Sequence, residues 1–135
     1  FAEELVGRFR TNRVSLPGIS LTAVSSAPTC IGNDFGFDRV FSRQVEGLGK
    51  PGDMLILFST SGRAANLRLA LAAARRRGLR TVCLLGRDGG PLKGKGTFEV
   101  IVKGKETERI QEAHQVILHL ILDEVEAAYP EEHAS

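Results

Sequence analysis

Hydrophobic positions along this chain follow two rhythms. Short, largely apolar runs at Met54–Phe58, Thr81–Leu85 and Phe98–Val102 predict strands, and between them apolar residues recur at helical spacing. Phe37, Val40, Phe41, Val45 and Leu48 predict a helix over Phe37–Leu48. Ala64–Arg77 predicts a second, ended by Gly78. A long helix is expected over Thr107–Ala127, with Ile110, Ala113, Ile117, Leu120, Ile121 and Val125 on its apolar side. Ahead of these, residues 1–10 read as helix ending near Thr11-Asn12, and Gly18–Val24 as a short strand after Pro17. Residues 25–36, rich in Ser, Gly, Asn and Pro, read as a loop with room for a helical turn. Gly49-Lys50-Pro51-Gly52 is a turn, and Gly86–Gly96 is a Gly-rich connection.

Strands that alternate with helices, with continuous rather than alternating apolar runs, imply a parallel sheet covered on both faces: an α/β, doubly wound fold. Such sheets bind ligands at the carboxyl ends of their strands. One strand end is chemically distinctive. The run Met54–Phe58 empties into Ser59-Thr60-Ser61-Gly62, and a helix begins directly after it. The first N–H groups of a helix lack intrahelical partners and carry the positive end of its dipole, so this turn can receive an anion. Three hydroxyls add hydrogen bonds without charge. The absence of a Lys in the turn favours a sugar phosphate over a nucleoside triphosphate. The competing reading is an ordinary helix N-cap, which Ser and Thr also supply.

The remaining features bound the picture rather than redraw it. The chain has 135 residues, enough for one core, and a net charge of +2, too small to indicate nucleic acid. One domain is expected over 1–129, with 130–135 a frayed tail. No apolar run approaches the ~20 residues that cross a bilayer, and no signal peptide is evident, so a cytoplasmic location away from the membrane is the expectation. Cys30 and Cys83 stand too far apart for a metal motif, and Cys83 lies within an apolar run, as a buried small hydrophobe would. Arg75-Arg76-Arg77 reads as the solvated basic end of a helix, and Gly86–Gly96 as a strand-to-strand connection rather than a nucleotide cradle. Asn33 and Asp34 fit either a turn or a polar site. Glu3 and Glu4 look like surface carboxylates, and His119 like an ordinary helix residue, with Gln111 two turns before it.

Taken together, four blocks resemble the sugar isomerase (SIS) domain family: Phe1-Ala-Glu-Glu-Leu-Val-Gly-Arg-Phe; Ile31-Gly-Asn-Asp-Phe-Gly-Phe with Phe41-Ser-Arg-Gln-Val-Glu; Phe58-Ser-Thr-Ser-Gly; and Arg109-Ile-Gln-Glu-Ala-His with His119. Gly86-Arg-Asp-Gly-Gly is a weaker fifth, and the resemblance runs to about Tyr129. It implies a flavodoxin-type arrangement of the sheet. It also implies an aldose–ketose isomerisation of sedoheptulose 7-phosphate through an enediol, in the making of ADP-heptose for lipopolysaccharide core. The family's catalytic Glu and His fall on Glu4 and His119. Its phosphate contacts fall on Ser59, Thr60 and Ser61, and its sugar contacts on Asn33, Asp34 and Gln111. Zinc is implied as a possible cofactor on Glu4, Gln111 and His119, with a further ligand His ahead of residue 1. The implied assembly is a homo-oligomer, a tetramer, with neither nucleic acid nor membrane as partner.

Two departures stand out against that family. Ala64 occupies the place of a further phosphate-binding Ser, and Arg63 replaces an Asn and supplies charge instead. The family also carries roughly sixty residues ahead of the position of Phe1, on the scale of a third of a domain. The chain starts on Phe with no helix cap before it, so an N-terminally shortened domain is expected. The alternative function is a noncatalytic sugar-phosphate-binding or replication-initiator-associating scaffold. In that scaffold branch, the resemblance implies, the position of His119 carries another residue.

Overall fold

Strands β1 (Met54–Ser59), β2 (Arg80–Gly86) and β3 (Phe98–Val102) pair in that order, all parallel, in a computed structural model that describes residues 1–129. The register aligns Leu57 with Cys83 and Cys83 with Glu99, one step from Phe58, Leu84 and Val100. Side chains alternate across a strand, so each face is read directly from this register. One face carries Leu55, Leu57, Cys83, Leu85 and Ile101, packed on Leu67, Ala70 and Leu71 of helix α4 (Ala65–Arg76). On the other face Leu84 is fully buried, whereas Met54, Phe58, Phe98 and Val100 at its rim are 42–56% exposed. β2 is the middle strand, and Thr81 and Cys83–Gly86 are all buried.

Alanines at 70, 73 and 74 let α4 approach its neighbours closely. Val45 of α3 (Ser42–Leu48) seats against Ala73 and Ala74, with Leu21, Leu55 and Leu79 around them. The basic end of α4 is more structured than a solvated terminus. Arg77 donates to the Gly49 carbonyl at 2.9 and 3.1 Å, Arg76 pairs with Glu46 at 2.8 Å, and Arg75 donates to the Lys95 carbonyl.

The chain divides into two units, which are described separately. Leu21–Gln111 holds the sheet, α3, α4 and α2 (Ser26–Phe35). Phe1–Ser20, together with the C-terminal segment from Glu112, forms the other; it contains α1 (Ala2–Val6) and most of α5 (Thr107–Ala127). The tail expected at 130–135 lies outside the described residues.

Several sequence expectations change. Gly18–Val24 is not a strand: Ile19 and Val24 are 69% and 60% exposed, and the segment joins no ladder of the described β1-β2-β3 sheet. The first helix ends at Val6, not near residue 10. Residues 25–36 are helix, not loop: Pro28 sits in the first turn of α2, where an N–H is not needed, so it starts the helix rather than breaking it. Residues 37–48 split into a 3₁₀ turn (Phe37–Arg39) and α3. The buried stripe of α5 is Ile110, His114, Leu118, Leu122 and Glu126, whereas Leu120 is 58% exposed.

The β2–β3 connection is clamped by one carboxylate. Glu99 accepts the Gly94, Lys95 and Gly96 N–H groups at 2.7–2.8 Å. Burial alone would raise its pKa, but these donors and the Arg75 charge outweigh burial and hold it below the ordinary 4.5. A depressed folded-state pKa stabilises the fold above the unfolded value, and the contribution is lost as pH falls through the folded value. Glu99→Gln is therefore expected to lower stability near neutrality and to flatten its decline on acidification below 4.5. Urea titrations of both proteins on either side of that pH would show parallel curves if the clamp contributed nothing.

Candidate active site

The Ser59-Thr60-Ser61-Gly62 turn leaves the carboxyl end of β1 and leads into α4. Its hydroxyls do not cap that helix. Ser59 Oγ, buried, accepts the Gly62 N–H at 2.9 Å, and Ser61 Oγ accepts the Arg63 N–H at 3.4 Å. They shape the turn itself. The residue before α4 is Ala64, extended, with no side chain capping the helix, so the first-turn donors keep their capacity for an outside acceptor. In that first turn the Asn66 side-chain oxygen is buried without a hydrogen-bond partner. Turning the amide over would present its N–H₂ at the same place.

The turn is buttressed from the β2–β3 connection. Leu92 N–H donates to the Gly62 carbonyl at 3.3 Å, and Arg63 is paired with Asp88 at 2.9 Å. The charge that replaces the family's Asn is thus already engaged by a carboxylate. Gly62 and Gly89, both with positive φ, meet backbone to backbone: a Cβ on Gly62 would lie 1.8 Å from the Gly89 oxygen.

Asn33 and Asp34 lie in the last turn of α2, exposed, with Asn33 Nδ2 donating to Asp34 Oδ1 at 2.8 Å. A helix end replaces the turn or loop expected for them. Gln111 is exposed on α5.

Glu4 and His119, at opposite ends of the sequence, fall in one unit. Glu4 is half-buried on α1 and His119 is exposed on α5. The imidazole stacks on the Phe9 ring, centroids 5.5 Å apart and planes 23° from parallel, and Gln115 Nε2 lies 3.2 Å from His119 Nε2. Sequence reading missed Phe9 and Gln115, which contact His119, Arg13, which donates to the Glu4 carbonyl, and Glu126, which accepts the Phe9 N–H. Arg13 and Glu126 are buried charged groups, 5% and 6% exposed. A signal for Glu126 existed, since positions 110, 114, 118, 122 and 126 form an i, i+4 row on α5 that a count of apolar residues alone passes over.

Of the residues that the resemblance implies for zinc, Glu4 and His119 are of the acidic and imidazole type and Gln111 would add an amide oxygen. A zinc site uses three or four side-chain donors at bonding distance, and among the described residues no three His, Cys, Asp or Glu groups gather to hold a metal ion. No described helix is long and apolar enough to cross a membrane.

The SIS domain model matches residues 1–86. The phosphoheptose isomerase of Geobacter sp. (strain M21) is 51% identical over 126 residues, which cover 93% of this chain and 66% of that protein. The chain therefore spans about two thirds of the length of such curated relatives. Two solved structures superimpose on it closely. Phosphoheptose isomerase GmhA from Neisseria gonorrhoeae has a TM-score of 0.84 at 41% identity, covering 93% of this chain and 67% of that one. A phosphoheptose isomerase from Francisella tularensis gives 0.86 at 32%, covering 90% and 65%. Sheet, hydroxyl turn and sequence blocks lead to one assignment: the chain belongs to the SIS domain family, on the phosphoheptose isomerase branch.

Proposed function

We propose that this chain carries the substrate-binding and proton-transfer residues of an isomerase converting sedoheptulose 7-phosphate to D-glycero-D-manno-heptose 7-phosphate. The observation that supports the reading is that the segments carrying Glu4 and His119, from opposite ends of the chain, belong to one folded unit. In the forward direction the Glu4 carboxylate takes a proton from C1 of the ketose. The C1–H electron pair becomes the C1–C2 double bond, and the C2 carbonyl oxygen receives a proton from His119. The resulting enediol loses its O1 proton to the imidazole, and Glu4 returns the carbon-bound proton to C2, leaving an aldehyde at C1. A carboxylate and an imidazole suit these two tasks, one at carbon and one at oxygen.

Phosphate is assigned to the turn, with Ser59, Thr60 and Ser61 as contacts and the uncapped first turn of α4 as the dipole end. Asn33, Asp34 and Gln111 are assigned to the sugar hydroxyls. The same reading takes 1–129 as one domain, places the protein in the cytoplasm and in the route to ADP-heptose, and assembles it as a homotetramer. Exposed Val116 and Leu120 on α5 support that assembly, since each is 58% exposed beside His119. A noncatalytic sugar-phosphate-binding protein is the second reading, and His119 favours the enzyme over it.

Ser61→Ala is expected to weaken sedoheptulose 7-phosphate binding by about 1–3 kcal/mol, the scale of one hydrogen bond to a charged group. Calorimetric titration of the variant with that ligand checks it; unchanged affinity would move the phosphate elsewhere.

A further inference from the structure

α1 has only five residues, and its end leaves carbonyls without helical partners. The segment that follows collects them. Arg13 Nη2 donates to the Glu4 carbonyl, Arg13 Nη1 to Leu5 and Val14 carbonyls at 2.9 Å each, and Ser15 Oγ to Val6 at 2.8 Å. Leu16 N–H adds a bond to Leu5 at 3.0 Å. The Arg13 side chain is wholly buried, and its Nε, without a hydrogen bond, lies 3.7 Å from Glu126 Oε1. Glu126, two turns beyond His119 on α5, faces a second set of orphans. Its two oxygens accept the N–H groups of Phe9 (3.0 Å), Arg10 (3.0 and 3.1 Å) and Thr11 (3.2 and 3.4 Å). Arg10 closes the ring from outside through Asp123 at 2.7 Å.

From these contacts we infer that Arg13 and Glu126 are positioning residues: together they fix the helix end carrying Glu4 and the backbone that holds Phe9 against His119. The inference rests on the reading of Glu4 and His119 as the proton-transfer pair. Neither charged group reaches a reacting atom. Arg13 grips the backbone of Glu4 itself, and Glu126 grips the amide of Phe9, whose ring is stacked on the imidazole. A buried ion pair is a poor source of stability, because its desolvation offsets its attraction, and apolar residues of similar volume often serve better. It does bind in fixed directions. Three consecutive N–H groups converging on one carboxylate make a concave anion nest, and no apolar side chain can hold that loop so. Burial alone would raise the Glu126 pKa, but the Thr11, Arg10 and Phe9 donors and the Arg13 charge outweigh burial and hold it below its ordinary value, so the carboxylate stays ionised at neutral pH. Proton transfer tolerates misplacement badly; an error near 1 Å costs on the order of 100-fold.

The test has two readouts that fail separately. In the 135-residue chain, carbon–proton NMR correlations of the His119 imidazole report the ring current of Phe9. Glu126→Gln keeps the size but places an N–H₂ where N–H donors converge, and Arg13→Lys keeps the charge but loses the fork. Both are expected to move the His119 signals toward those of Phe9→Leu, which removes the stack and leaves both charges intact. In a preparation that turns over sedoheptulose 7-phosphate, each of the three variants is expected to lower kcat at least about tenfold with KM within about twofold. Glu126→Asp, which keeps the carboxylate, should recover part of both readouts. His119 signals at wild-type positions in Arg13→Lys and Glu126→Gln would overturn the inference whatever the activity. So would a wild-type kcat in Phe9→Leu. If Glu126→Gln does not fold, Arg13→Lys and Phe9→Leu decide. Moved signals accompanied by a His119→Gln variant of wild-type rate would leave the positioning intact and overturn the proton-transfer reading instead.

Discussion

His119→Gln is expected to reduce the isomerisation of sedoheptulose 7-phosphate by at least about 100-fold, the range that a positioned acid or base supplies. Glutamine retains hydrogen-bonding capacity but cannot exchange a proton near neutral pH, so the C2 oxygen loses its acid and O1 its base. Glu4→Gln should fall at least as far, since no other group takes the proton from carbon. In both variants phosphate affinity should hold, because the phosphate contacts are assigned to Ser59, Thr60 and Ser61 in a different part of the chain. The measurement is steady-state turnover alongside calorimetric binding of the sugar phosphate. A wild-type rate in His119→Gln would return His119 to the status of an exposed helix residue and favour the noncatalytic sugar-phosphate-binding reading.

The second large effect falls on Gly62. Alanine there meets two obstacles at once. Its φ of +64° is left-handed, which costs a side-chain-bearing residue about 1–2 kcal/mol. Its Cβ would sit 1.8 Å from the Gly89 oxygen and 2.4 Å from the Gly89 carbon, both backbone atoms that no rotamer can move aside. Overpacking of ordinary side chains costs about 1–3 kcal/mol; here the β2–β3 connection itself must shift. Gly62→Ala is expected to lose at least about 3 kcal/mol, a large share of the 5–15 kcal/mol that holds a typical domain. It should also weaken sugar-phosphate binding: alanine keeps the N–H, but the clash displaces the turn and with it the donor that Ser59 Oγ accepts. A urea midpoint equal to that of the parent protein would show that the two loops move apart freely.

What the sequence made legible follows from where the partners of each residue lie. β3 and α5 match the expected bounds, and β1 and β2 differ by a residue at most at each end, because apolar runs and helical periods are local signals. The parallel sheet followed from the same runs. Gly18–Val24 has the composition of a strand, but composition does not say whether a segment joins a ladder, and this one stays exposed at Ile19 and Val24. Pro28 was read as a loop marker because its place within a helix turn depends on where the helix begins. The hydroxyl turn was visible as a strand emptying into a helix, yet its buttress was not: Gly62 and Gly89 are brought together by the β1–β2–β3 packing. Glu126 is the extreme case, since its three N–H partners lie more than a hundred residues away. Glu4 and His119 stand out by family resemblance alone; spacing by itself makes Glu4 a surface carboxylate and His119 a core or interface group of its helix.

The two thiols of this chain live in opposite chemical conditions. Cys83 is fully enclosed in β2, and burial, with the nearby Glu99 charge and against the partial relief of Arg75, pushes its pKa up to about 11. Alkylation and oxidation need an accessible thiolate, so Cys83 is silent toward both while the sheet is folded. Cys30 is exposed on α2, its sulfur 3.6 Å from Asp34 Oδ2. The native chain therefore comes with one addressable attachment point, beside a residue assigned to the sugar. A maleimide fluorophore or spin label placed there needs no other cysteine removed from these 135 residues, and it stands next to Asp34.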